Sequence, residues 1–440
     1  MKQSNLYGEQ TRMAVNNFPY PVHPVRRELI YAIAEVKKAA AIANLRAGNL
    51  DESRAQAIAK AADEVSAGMH DEQFITPSIQ GGAGTSMHMN VNEVLAARAE
   101  QILRRKGISV KVHPNDHVNM SQSTNDVNPS ALRIATIRLG CDLIATIGQL
   151  TAALRKKADE FAGVKKLART HMQDAVPTTL GAEFRSYADI VARNQRRIEE
   201  ALAYLYELNL GGTAIGNSIN ASEAYREHVY YELQKIVKIP VCPAENMMPG
   251  TSSGQDFCHL SATLTIMSTD LSKISTDIRF LSSGPRGGIG EIRLKALQPG
   301  SSIMPGKVNP VIPESMNQIH YYISGKNLTI HQAAEGAHLE LGIMFPVIAD
   351  SILSQLTVLN AGIAAFTENC ILPMEADTQR CSKLLEESSA YATLLTPELG
   401  YDTVSRVVKK AIETKKTIRE TLVEDGLIDQ DRFDRIVSIL

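Results

Sequence analysis

The sequence predicts an all-α fold whose centre is a bundle of long helices, and three observations point there. Leu260, Leu264, Met267, Leu271, Ile274, Ile278 and Leu281 alternate steps of four and three, an a/d seam on one long helix. Two further apolar series keep helical spacing over more than five turns. One runs Leu132, Thr136, Leu139, Leu143, Ile147, Leu150 and Leu154; the other runs Leu180, Phe184, Tyr187, Val191, Ile198, Leu202 and Leu205. Finally, there is no Trp and aromatics make up only 5%, so the core rests on Leu, Ile, Ala and Met, which suits helix packing.

Taken in order, the chain divides into an N-terminal helical domain over 1–120, a central long-helix domain over 121–371 and a small C-terminal helical domain over 372–440. Residues 1 to about 26 are polar, and Pro19, Pro21 and Pro24 forbid a regular helix across them. From Arg27, residues Leu29, Ile30, Ile33, Val36 and Ala40 share one helical face, and an Ala-rich helix follows around Arg54 to Ala67. A glycine cluster from Gly81, with Thr85 and Ser86, reads as a tight loop feeding a helix that starts near Val91. Such hydroxyls suit either an anion at a helix start or plain N-capping. The loop Val112 to Asp126 places Ser121, Ser123, Thr124 and Asn125 at the start of the next long helix, with its helical spacing after Pro129. Thr170, His171, Gln173 and Asp174 form a second polar cluster before the helix from Leu180. Among eleven histidines, only His171 has that setting. Helical spacing returns over Glu314 to about Ile330 and over Ile348 to Phe366, with Pro346 as a kink or boundary. Five long helices with continuous seams need partners, so self-association is expected.

Bulk properties narrow the function. Net charge is -2 over 440 residues, so no global field draws the chain to nucleic acid or anionic lipid. Five scattered cysteines form no C-x-x-C pair, which predicts buried reduced thiols and neither disulfides nor a zinc site. The first residues show no apolar signal segment, and no run reads as membrane-spanning, so a cytoplasmic enzyme is expected. No nucleophile elbow, phosphate-binding Walker loop or H-E-x-x-H is present.

The stretch Gly300 to Pro310, G-S-S-I-M-P-G-K-V-N-P, joins Ser301 and Ser302 to Lys307 and Asn309 in a loop punctuated by Gly and Pro. With Thr85, Ser86, Ser123, Thr124, Asn125, Thr170 and His171, it collects neutral hydrogen-bond donors and one clear cation. That set suits a small dicarboxylate and the negative charge that builds when a C–H proton beside a carboxylate is removed.

G-A-G-T-S…N-V-N-E-V, N-M-S-Q-S-T-N-D, R-T-H-M-Q-D-A-V-P and G-S-S-I-M-P-G-K-V-N-P occur in the order and spacing of the fumarase/aspartase superfamily of lyases. The resemblance extends from near Tyr7 to the C-terminus. It implies a homotetramer whose central helices form a twenty-helix core, with each active site drawing loops from three subunits. Ser301 would be the base that removes the Cβ proton. Thr85, Ser123, Thr124 and Ser302, with Ser86 beside them, would hold the β-carboxylate, and Lys307, Asn309 and Thr170 the α-carboxylate. His171 and Asn125 would stand at the leaving group, and Glu314 would pair with His171. The implied reaction is elimination of ammonia from L-aspartate to give fumarate, without cofactor or catalytic metal. Dehydration of L-malate is the alternative, or turnover of a modified aspartate, because His88 and the segment Gly250 to Phe257 depart from the family pattern. A non-catalytic structural role is a further alternative, and the joint presence of Ser301, Lys307, Asn309, His171 and Glu314 argues against it.

Overall fold

The computed structural model describes residues 5–438, and the fold is all-α with a few short strands. In chain order the first four helices are α1 (Glu9–Asn17), α2 (Arg27–Arg46), α3 (Glu52–Ser66) and α4 (Thr85–Arg105). Next come α5 (Thr124–Glu160), an antiparallel hairpin of β1 (Lys165–Thr170) and β2 (Gln173–Thr179), and α6 (Leu180–Ala203). They are followed by α7 (Glu223–Val237), the single turn α8 (Met248–Ser252), α9 (Gln255–Leu281), α10 (Val311–Glu335) and α11 (Phe345–Phe366). Five short helices close the chain: α12 (Thr378–Glu386), α13 (Ala392–Leu399), α14 (Tyr401–Thr414), α15 (Ile418–Glu424) and α16 (Gln430–Val437).

Two compact units are distinguished. Met1–Ile144, Arg196–Ile266 and Tyr321–Asn360 make the first; Ala145–Gln195, Met267–His320 and Ala361–Leu440 make the second. The five long helices α5, α6, α9, α10 and α11 contribute residues to both. All seven residues of the α9 seam are buried, as are all seven of the α6 series. In the second unit the C-terminal helices close over Leu385, Leu395, Leu422 and Phe433, together with Leu167 of β1.

The helix starts show where local chemistry outran periodicity. Helix α1 precedes the proline cluster and was not foreseen. Its orphan N-terminal donors are satisfied by one acid of α4: Glu93 accepts from the backbone N–H of Gly8, Gln10 and Thr11 and from the Thr11 hydroxyl, at 2.6 to 3.2 Å. Helix α4 begins at Thr85, not near Val91, because Gly84 takes a left-handed conformation (φ 85°) as its N-cap. A Cβ at Gly84 would stand 2.7 Å from Asn128 Nδ2 and 3.3 Å from Phe345 Cδ1. Gly84→Ala is therefore expected to cost at least about 1–2 kcal/mol from backbone handedness alone, read as a lowered denaturant midpoint. Helix α5 likewise starts at Thr124 and runs through Pro129. Proline cannot donate to the carbonyl four residues back, and that carbonyl, Asn125 O, accepts instead from Asn209 Nδ2 at 3.0 Å.

Three expectations are corrected. The polar cluster before α6, read without any strand in an all-helical chain, is the β1–β2 hairpin, turning at His171 and Met172 with φ of 52° and 62°. Its isolated, edge-only pairing tolerates Pro177, the residue that hid it from a strand reading. Two helical stretches, Thr124–Glu160 and Phe345–Ile371, are long and apolar enough to cross a membrane by composition; 44% and 61% of their most apolar windows are buried within the fold. The cysteines are free, but only Cys370 and Cys381 are buried; Cys141 and Cys242 are exposed and Cys258 is half-buried.

Candidate active site

In the first unit the predicted donors gather at two adjoining helix starts. Thr85 opens α4, where its hydroxyl donates to Gly82 O at 2.8 Å, and Ser86 follows it. Ser123 precedes α5; its hydroxyl accepts from the Asn125 N–H at 3.3 Å. Thr124 and Asn125 line a small cavity of about 30 Å³ that also touches Ala83 and the Gly250–Gly254 turn. Asn125 Nδ2 donates to Ala214 O at 2.8 Å, fixing that amide against the loop after Leu208. A helix N-terminus presents partial positive charge, so this corner favours an anion.

Asp126 organises that corner. It is fully buried and accepts from the backbone N–H of Ser123 at 2.8 Å and from those of Gly211 and Thr213 at 3.0 Å. Burial pushes its carboxyl up to about 6, against three N–H donors and the nearby Lys37 cation that pull the other way. A raised carboxyl means the folded protein binds the proton more tightly than the unfolded chain. The stability of the protein relative to an Asp126→Asn variant is thus expected to be greatest below about pH 4, the ordinary aspartate range. It should fall as pH rises through about 6. Denaturant midpoints of both proteins across that range check it. The sequence signal for Asp126 was an acid three residues after Ser123, the spacing of a reciprocal cap.

In the second unit the loop Gly300–Pro310 is built from its own backbone. Gly300 N–H donates to Lys307 O at 2.8 Å, and Asn309 Nδ2 donates to Gly300 O at 2.9 Å. The Ser301 hydroxyl oxygen accepts from the N–H groups of Ile303 and Met304, each at 3.2 Å. Two N–H donors on one hydroxyl oxygen favour its deprotonated form. Ser302 is exposed beside it, and Ile303 is 83% exposed, so the loop tip lies open. Lys307, Asn309 and Glu314 line a cavity of about 650 Å³ together with Arg279 and Arg293.

Thr170 and His171 are exposed at the hairpin turn and do not line that cavity. Among the described residues of the single chain, no hydrogen bond or ion pair joins His171 to Glu314. The hairpin is braced from below by groups the sequence reading missed. Glu291, fully buried, lies 2.9 Å from Arg169 and 3.1 Å from Lys166, both on β1, and Lys166 also donates to Glu183 at 2.7 Å. Arg169 directly precedes Thr170, so the ion cluster holds the strand that presents Thr170 and His171. No periodic signal marks such a cluster, whose members are far apart in sequence.

The family profile described as Lyase matches residues 1–325, and one described as Fumarase C C-terminus matches residues 392–440. The aspartate ammonia-lyase of Bacillus subtilis (strain 168) is 42% identical over 98% of this chain and 91% of its own length. The class II fumarate hydratase of Halalkalibacterium halodurans is 40% identical over 99% and 95%. A crystal structure described as fumarate lyase:delta crystallin from Brucella melitensis bound to cobalt superposes with a TM-score of 0.94 at 42% identity. That match covers 100% of this chain and 96% of the other. With a profile spanning most of its length and relatives of this identity along nearly all of it, the chain belongs to the fumarase/aspartase superfamily of lyases and is an enzyme of that family.

Proposed function

We propose that this enzyme eliminates ammonia from L-aspartate to give fumarate. The observation that carries the chemistry is Ser301, whose hydroxyl oxygen accepts two backbone N–H groups on the loop that also bears Lys307 and Asn309. An ordinary serine is a very poor base, and fixed donors at its oxygen favour the alkoxide that could take the Cβ proton. The electron pair left at Cβ delocalises into the β-carboxylate as an aci-carboxylate held by Thr85, Ser86, Ser123, Thr124 and Ser302. It then forms the double bond as the Cα–N bond breaks and ammonia leaves beside His171 and Asn125. Lys307, Asn309 and Thr170 hold the α-carboxylate throughout, and Glu314 sets His171. No step calls for a cofactor or a metal.

The reading includes a cytoplasmic homotetramer with sites completed by three subunits. The exposed His171 turn, with Met172 and Val176 also exposed, supports contributions across copies. Sedimentation at micromolar concentration is expected to give a tetramer, and a monomer alone would overturn that assembly.

The second reading is a class II fumarase, kept by the hydratase relative and by a donor set that serves either leaving group. Purified protein given L-aspartate or L-malate separately decides between them through the ultraviolet absorbance of fumarate. A rise with aspartate, matched by ammonia, supports the proposal. A rise with malate alone transfers the site to hydration chemistry. No rise with either removes both substrates and leaves a modified aspartate to be tried.

A further inference from the structure

His88 departs from the family pattern and has no place in the reaction as described. It lies on the first turns of α4, is 1% exposed, and its Nδ1 stands 2.8 Å from Thr124 Oγ1. Its Nε2 is buried with no hydrogen-bond partner among the described residues. Burial and the nearby cation of Lys37, itself fully buried with Nζ 2.7 Å from Asn119 Oδ1, hold the ring well below the ordinary histidine range. The imidazole is therefore neutral and carries one proton.

That proton has two possible seats. On Nε2 it would be an orphaned buried donor, and Nδ1 would then take the only hydrogen of the Thr124 hydroxyl. On Nδ1 it is used, and Nε2 is left as a bare acceptor. Buried orphan N–H groups are rarer than under-satisfied acceptors.

We propose that His88 is a positioning residue: its Nδ1–H donates to Thr124 Oγ1 and so leaves the hydroxyl proton of Thr124 free for the substrate carboxylate. The hydroxyl needs that freedom because Thr124 lines the small cavity beside Asn125 and the Gly250–Gly254 turn. A threonine whose proton pointed back at a ring would offer an anion only lone pairs. The inference rests on the assignment of Thr124 as a carboxylate-holding group.

A double-mutant cycle tests it, using the full-length enzyme and whichever of L-aspartate and L-malate is turned over. Thr124→Val is expected to lower kcat/KM by about 100-fold or more, as for loss of one pre-aimed donor. His88→Leu should cost up to about 100-fold, the scale of a misaimed group. The pair should lose no more than Thr124→Val alone, within the roughly twofold scatter of such cycles. His88→Asn places an amide N–H where Nδ1 stood and should restore most of the loss. Independent, multiplying losses overturn the inference, as does an asparagine no better than leucine; in both cases the role of Thr124 survives. Wild-type turnover by Thr124→Val overturns the Thr124 assignment and this inference with it. If His88→Leu does not fold, neutron diffraction from the wild-type protein decides. A deuteron on Nδ1 supports the assignment, and a bare Nδ1 overturns it.

Discussion

Ser301→Ala is expected to lower kcat by about 100- to 10,000-fold, the usual contribution of a positioned general base, while helix content and unfolding midpoint stay as in the parent. The split follows from where the hydroxyl sits. Its oxygen is met by two N–H groups of the same loop, so its removal takes away the one atom they converge on. Those N–H groups belong to Ile303 and Met304, both exposed, and water replaces the lost acceptor at little cost. The rest of the loop is tied by Gly300 to Lys307 and Asn309, and none of those bonds uses the serine. Steady-state kinetics with far-ultraviolet circular dichroism make the check. A variant that keeps most of its kcat would remove Ser301 from the base role.

Glu291→Ala carries the largest expected loss of stability, about 3–5 kcal/mol, the cost of breaking a buried ion pair from one side. Glu291 is 0% exposed and faces two cations of β1, Lys166 and Arg169. Lys166 is itself buried and would keep only Glu183 as an anionic partner. Its backbone is also engaged: Glu291 N–H donates to Leu281 O, and its carbonyl accepts from Asp377 N–H, each at 2.8 Å. The truncation therefore leaves the main chain in place and isolates the electrostatic term. Denaturant midpoints at one fixed protein concentration measure it, since assembly ties apparent stability to concentration. An unchanged midpoint would mean that the cluster does not hold the hairpin.

The long helices were legible because each carries a repeating apolar stripe, and burial of every residue in the α9 and α6 series follows that stripe. Helix starts were less legible, because they are set by single side chains or backbone angles rather than by period. Gly84 in a left-handed conformation moved α4 six residues earlier than its first clear apolar position. The Asn209 amide made Pro129 harmless to α5 by taking the bond that proline could not fill. The β1–β2 hairpin was invisible because its strands are polar, without apolar alternation, and one contains a proline. Its turn uses His and Met at positive φ instead of the Asn-Gly that signals such turns. Site residues on Gly300–Pro310 could be gathered by composition and motif. His88 acts through Thr124, 36 positions away, Asp126 through Gly211 and Thr213, 85 and 87 positions away, and Glu291 through Arg169, 122 positions away.

The clasp of Glu93 on α1 makes the start of the chain behave as one exchange unit. A nine-residue helix is too short to persist alone in water. Two of its backbone amides, one of its hydroxyls and the amide of its N-cap, Gly8, share a single carboxylate as acceptor. Opening at that carboxylate releases all of them together. The amide protons of Gly8, Gln10 and Thr11 should then show one common protection factor in deuterium exchange, and that protection reports the docking of α1 onto α4 and not the helix's own strength.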